Sequence, residues 1–187
     1  MPEERQFSGS VLRADLSWLE KNGLRQAVRE RVAPDTQALL DKPPLPISWV
    51  SGRHVDALLE AVVAVAGEDK VIQLGEETTR ASFGPVIRPI LRTLVALFGA
   101  SPAALFSRLD SVLPIFSKGS TFTYESAGER EGMLRLRTVD RAPRAWFVQW
   151  RGTLRFGFEV AGVTGSIASC DIDPDSRGAV YRVAWSA

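Results

Sequence analysis

The sequence predicts an α+β fold in one domain: a mainly helical part over 1–118, packed on a four-stranded antiparallel sheet laid out as hairpin, helix, hairpin over 119–187. Three observations carry this. Apolar residues recur at helical spacing through the first part, and the pattern changes to alternation after Gly119. Two turn-rich segments, "AGEREG" and "DPDSRG", cut the second part into hairpins. A chain of 187 residues supports one well-buried core and does not call for another.

Val11, Leu12, Leu16 and Leu19 form the stripe of an opening amphipathic helix that stops at Asn22-Gly23, and a second helix carries Leu24, Val28 and Val32 up to Pro34. The stretch "DKPPLPIS" reads as a rigid connector, because consecutive prolines fix the backbone and remove donors. Its Pro43-x-x-Pro46 has the form of an SH3-type ligand, although an inter-helix loop is the favoured reading. Ser51 is the expected N-cap of a helix that places Val55, Leu58, Leu59, Val62 and Ala66 on one face and closes at Gly67. Another runs through Val71, Ile72, Leu74 and Thr78 until Gly84-Pro85, which opens a helix bearing Val86, Ile90, Leu94 and Leu97. Ser101-Pro102 repeats the start signal for a helix containing "LFSRLDSVLPIF", a single apolar stripe.

In the second part, "TFTYES" and "MLRLRT" form the first hairpin, with Leu134, Leu136 and Thr138 opposite Met133, Arg135 and Arg137. Residues 144–161 hold β-prone aromatics, yet Trp146, Trp150, Leu154 and Phe158 recur every four residues, which predicts a helix. Gly152 and Gly157 weaken that helix and permit close backbone approach. "GSIASCDI" and "AVYRVAWS" form the second hairpin.

Apolar residues make up 45% and charged residues 24%, the balance of an ordinary globular chain. A formal net charge of +1 gives no global footprint for nucleic acid or an anionic membrane, so any basic patch must be local. Cys170 stands alone, which excludes an internal disulfide and a zinc site of paired cysteines and fits a cytoplasmic setting. Pro2, Glu3, Glu4 and Arg5 lead into no apolar run, so no secretory signal is expected. The longest uncharged run, the fifteen residues Thr93 to Ser107, is interrupted by Gly99 and Pro102 and falls short of the roughly 20 needed to span a bilayer.

The chemical constellations are sparse. His54 is the one histidine, set at the start of a strongly periodic helix with no nucleophile signature beside it, and reads as solvated or capping. No nucleophile elbow, phosphate loop, zinc-protease pair or dinucleotide fingerprint occurs, and the chain is read as a non-enzyme without metal or cofactor. Asp171, Asp173 and Asp175 alternate as in a calcium loop, but Ser176 replaces its glycine and Arg182 its closing glutamate, so a hairpin turn is favoured. Arg135, Arg137, Arg141, Arg144, Arg151 and Arg155 crowd one region. They suit an acidic group, or form a solvated face paired with Glu125, Glu129, Glu131 and Glu159. The aromatic row of Trp146, Trp150 and Phe158 is read first as core and second as a pocket wall or dimer seam.

With these elements placed, "GSVLRADLSWLEKNG", "LGEETTRASFG" and "WRGTLRFGFEVAG" resemble the superfamily uniting H-NOX domains, 4-vinyl-reductase-type ligand domains and TRAPP vesicle-tethering components, and more closely a bacterial paralogous family of similar length. The resemblance covers most of the chain through apolar and glycine positions. Haem-binding relatives carry a pattern like Asn-Leu-Asp-x-Leu-His before the first hairpin; the matching run is Arg108-Leu109-Asp110-Ser111-Val112-Leu113, so Leu113 stands at the iron-ligand position. Leucine has no lone pair to donate. Of the relatives' Tyr-x-Ser-x-Arg propionate clamp, only Arg141 agrees. No haem is therefore expected.

What the resemblance still implies is an apolar cavity between the helical part and the sheet. Leu109, Leu113, Phe116, Arg137 and Arg141 are the candidate ligand contacts, and Trp146, Trp150, Arg151 and Phe158 the candidate interface residues. The expected function is a regulatory or sensory domain that works through a protein partner or homodimer and binds a small apolar ligand. The alternatives are an assembly module with a filled cavity and a vinyl-reductase-type enzyme.

Overall fold

The computed structural model describes residues 3–82 and 101–186. The chain opens with a three-residue strand, β1 (Gln6–Ser8), and turns directly into α1 (Gly9–Lys21). Its face of Leu12, Leu16 and Leu19 is buried, as its spacing predicts. The second helix is shorter than expected: α2 covers only Arg25–Arg29. Pro34, read as a stop, instead starts α3 (Pro34–Asp41), because a proline at the first helical position forfeits no hydrogen bond and has its dihedral already set. Thr36 and Leu40 of α3 are buried against the rest of the helical part.

After the proline connector comes β2 (Trp49–Ser51), then α4 (Gly52–Ala66), which buries Val55, Leu58, Leu59 and Val62 and ends at Gly67 with φ 87°. Ser51 occupies the N-cap position, yet its hydroxyl donates to Glu4 rather than capping the helix. Residues 68–82 form the next helix, α5. Gly84-Pro85 and the helix expected through Val86, Ile90, Leu94 and Leu97 lie outside the described residues.

Ser101 caps α6 (Pro102–Phe106) with its side chain, accepting from the Ala104 amide at 3.1 Å. The apolar stripe beyond it is not one helix. It divides into α6, α7 (Leu109–Val112) and a 3-10 turn (Leu113–Ile115). Two local causes suffice: the Ser107 hydroxyl takes up the Ala104 carbonyl, and Pro114 brings no amide to continue α7.

β3 (Ser117–Lys118) and β2 flank β1 in a small antiparallel sheet, order β2-β1-β3, which sequence periodicity did not reveal because strands of two or three residues carry no alternation. Gly119, at φ 78°, then turns the chain into β4 (Ser120–Gly128) and β5 (Glu131–Thr138). The helix α8 (Arg144–Ala161) follows, ended by Gly162 in the left-handed conformation, and β6 (Thr164–Ile172) and β7 (Gly178–Ser186) complete the fold. The main sheet is four-stranded and antiparallel, order β4-β5-β7-β6, as expected. Leu134, Leu136, Tyr181 and Val183 are buried on it while Arg135 and Arg182 project outward, the period-two division that a half-buried sheet imposes.

The core lies where α8 meets both the sheet and the helices. Gly75 of α5 lies against the Gln149 carbonyl, and Gly152 of α8 leaves no room for a Cβ beside the Ile72 carbonyl, so the two glycines let α5 and α8 cross almost backbone to backbone. Among the described residues no helix is long and apolar enough to cross a membrane.

Candidate functional site

Burial of α8 on more than one side, with Ala145 to Trp150 all buried, creates an aromatic spine. Trp146 stands edge-on to Phe7, Phe147 and Trp150, with ring centroids 6.4, 5.1 and 5.9 Å away. Trp150 continues to Phe122 at 4.7 Å, while Phe158 meets Phe106 at 5.4 Å and an interplanar angle of 88°. Edge-to-face contacts of this kind fix ring orientation as well as burying area. Trp146, Trp150 and Phe158 are 0, 6 and 3% exposed, so the row, read first as core and second as a pocket wall or dimer seam, lies in the interior. That corrects the interface expectation for all three: their surfaces are already covered within the chain. Arg151 of α8 is half-buried, with its Nε lacking a hydrogen-bond partner among the described residues.

Two small cavities abut this spine. The first, about 80 Å³, is enclosed by Leu105, Phe106, Leu109, Val112 and Leu113 on the broken helix and by Trp150, Leu154 and Gly157 of α8. The second, about 40 Å³, lies toward Phe7, Phe116, Trp146 and Gln149. Leu113, Trp150, Thr79 and Thr153 border both, so these four side chains form the partition. Its polar half is closed on itself: the Thr79 and Thr153 hydroxyls are hydrogen-bonded at 3.0 Å, and Thr79 also donates to the Gly75 carbonyl. The remaining lining of the first cavity is apolar apart from Arg108, while Thr78, Ser82, Ser117 and Gln149 also border the second.

Of the candidate ligand contacts, the structure therefore gathers Leu109, Leu113 and Phe116 at the cavities. It does not bring Arg137 or Arg141 there. Strand alternation turns Arg137 outward from β5, where it is 63% exposed and pairs with Asp173 at 3.0 Å. Arg141 is exposed, and its backbone carbonyl accepts from Arg5. The arginine cluster is also dispersed into pairs other than those expected: Arg144 with Glu68, Arg155 with Glu76, and Glu159 with Arg80. Asp171, Asp173 and Asp175 belong to the last hairpin, and among the described residues no cluster of histidine, cysteine or carboxylate side chains is arranged to hold a metal. His54 is buried, its Nδ1 2.8 Å from the Thr36 hydroxyl, and burial lowers its pKa, which favours the neutral ring.

Sequence reading missed a buried and highly connected polar residue. Arg5 is fully buried; its guanidinium grips Asp56 in two-pronged fashion at 3.1 and 2.6 Å, donates to Asp140 at 2.7 Å, and lies 4.5 Å above the Trp146 ring. It ties the N-terminus to α4, to the segment before α8, and to the spine. Burial pushes the Asp56 carboxyl up to about 6 against the opposing pull of Arg5. Asp15 was missed as well. It sits among the leucines of α1, fully buried, neither carboxylate oxygen hydrogen-bonded among the described residues, and desolvation pushes it up to about 7. Thr78 of α5 faces it with a hydroxyl already donated to Leu74. Neither residue carries a sequence signal: Asp15, a charged residue on a mostly apolar helix face, looks like the edge of that face, and Arg5 stands in the irregular segment before β1.

No family model matches this chain, and no curated protein matches it. Solved structures do match in fold. A variant of the Fe(II) unliganded H-NOX protein from K. algicida superposes with a TM-score of 0.74 at 13% identity, covering 96% of this chain and 97% of that one. The parent H-NOX protein from K. algicida gives 0.71 at 14% over the same shares. An oxygen-binding H-NOX domain related to soluble guanylate cyclases gives 0.63 at 10%, covering 96% of this chain and 95% of that one. This chain has an H-NOX-like fold.

Proposed function

We propose that this chain is a haem-free sensory or regulatory domain, not an enzyme, in which a small apolar ligand held beside α6, α7 and α8 governs contact with a protein partner. The observation that carries the reading is the wall of the larger cavity. Leu113, at the position where the resemblance places an iron-ligating histidine, packs 3% exposed between the two cavities and offers no donor. Haem does not fit on two further grounds. Cavities that take cofactors and drug-sized ligands measure about 300–1,000 Å³, several times the 80 Å³ here. The Trp146 and Trp150 rings fill the neighbouring space, and no histidine, cysteine, methionine or tyrosine is among the described residues lining either cavity.

Occupancy would act on the broken helix. α6 and α7 are single turns, the Asp110 carboxylate holding the end of α7 to β4 through the Phe122 amide at 2.8 Å, so a guest pressing on Leu109 or Leu113 bears on an element with few bonds of its own. The second reading is an assembly module whose cavity stays closed by side chains, favoured by the small volume alone. An absorption spectrum and xenon titration followed by methyl NMR test both. Sensing predicts no Soret band and saturable shifts at Leu109, Val112 and Leu113. A strong Soret band overturns the haem-free reading, and xenon-insensitive methyls leave the assembly reading in its place.

A further inference from the structure

Among the described residues the four large exposed hydrophobics all belong to the small sheet and its approach: Leu45, Ile47, Trp49 and Ile115, at 67, 85, 38 and 48% exposure. They lie apart from the cavities. Leu45, Pro46 and Ile47 form a turn closed by the Ser48 amide on the Leu45 carbonyl at 3.0 Å, and β1–α1 anchors it: Gly9 donates to Ser48 at 2.7 Å and Ser10 to Pro46 at 3.0 Å. A Cβ at Gly9 would overlap the Leu45 carbonyl, so the turn is seated directly on backbone. The tip is therefore a fixed, convex apolar projection. Pro43-x-x-Pro46 is bent into this turn, its last carbonyl already taken by Ser10, and does not form the extended helix that SH3-type grooves grip.

Three cations gather around the projection. Lys118 of β3 lies over the Trp49 ring at 3.8 Å, Arg13 reaches the Pro44 carbonyl at 3.2 Å, and Lys42 is exposed at the start of the connector. Of the carboxylates on the flanking elements, Asp35 is paired with Arg53 and Asp41 with Arg29, while Glu4 accepts from the Ser51 hydroxyl at the far end of β2. A protruding Leu-Pro-Ile tip, a tryptophan at its base and a basic collar match what an interfacial segment needs, apolar side chains to enter the acyl boundary and cations to meet lipid phosphates.

We propose that the 45–49 turn, with Trp49, Lys118, Arg13 and Lys42, docks this chain reversibly on an anionic lipid surface. The test is co-sedimentation of the whole protein with phosphatidylcholine vesicles and with vesicles of phosphatidylcholine and phosphatidylserine. Binding is expected to the second only and to fall with added salt. The double substitution Leu45→Ser, Ile47→Ser is expected to weaken it by roughly a hundredfold, the loss of two inserted side chains, with unchanged thermal stability since both are exposed. Lys42→Glu with Lys118→Glu, which leaves the tip intact, should also release the protein. Failure to bind serine-containing vesicles, equal binding to both vesicle types, or self-association through the turn in place of vesicle binding would each overturn the proposal.

Discussion

Replacing Asp15 by asparagine should remove a pH dependence of stability that the wild-type chain possesses. The carboxyl is fully buried, without a hydrogen-bond partner among the described residues, and burial raises it from 3.8 to about 7. A raised carboxyl binds its proton more tightly in the folded state than in the unfolded one, so stability falls as pH rises through the window between those two values and levels off above about 7. Three units at 1.36 kcal/mol each give a full penalty of about 4 kcal/mol, of which roughly 3 develops between pH 5 and pH 8. Asp56, raised to about 6, declines in the same direction, but it does so in both proteins and cancels in the comparison. Urea unfolding of wild type, Asp15→Asn and Asp15→Leu at pH 5, 6, 7 and 8 measures the difference directly. The variants should gain on wild type as pH rises. Parallel curves for all three would refute the reasoning, because they would mean that the carboxyl is ionised and solvated in the folded chain at pH 5.

Three further outcomes follow from the packing. Arg5→Met leaves Asp56 and Asp140 beside each other without their shared cation and should cost about 3–5 kcal/mol in denaturant unfolding; replacing all three by apolar residues should recover most of it. Gly152→Ala drives a methyl into the Ile72 carbonyl and Glu76 amide at the α5–α8 crossing and should cost about 1–3 kcal/mol or more, measured as a drop in melting temperature. Leu113→Ala joins the two cavities across their partition, with a loss of about 2–5 kcal/mol that added benzene partly restores; an unchanged melting temperature with benzene would show that the site collapses instead.

What could be read from the sequence divides by the range of the signal. α8 was legible despite its β-prone aromatics because Trp146, Trp150, Leu154 and Phe158 hold a four-residue spacing over several turns, and the two hairpins were legible because alternation and turn residues agree. β1, β2 and β3 were not, being too short for a period, and α3 was lost because Pro34 marks a start as readily as a stop. The stripe from Leu105 to Phe116 reads as one continuous helix but is broken, with Leu105, Phe106, Leu113 and Phe116 buried and Ile115 exposed: periodicity is blind to a serine hydroxyl that intercepts one carbonyl. For the site, all five candidate contacts were named on a resemblance: Leu109, Leu113 and Phe116 border the cavities, whereas strand alternation turns Arg137 outward and Arg141 lies exposed beyond the end of β5. Arg5 is intelligible only once Asp56 and Asp140, distant in sequence, have been brought together by the fold.

The strand order has a bearing on how the molecule assembles. Each hairpin closes locally, but the seam that unites them, β5 against β7 from Glu131↔Ala184 to Arg137↔Gly178, cannot form until the chain between has looped back on itself. That loop contains α8. Nucleating the helix first shortens the excursion and lowers its entropic cost, so the central seam should zip late, after the tryptophan-bearing helix has docked. A chain lacking Gly178–Ser186 would have no β7 to complete that sheet, and the first hairpin would keep an open edge at β5.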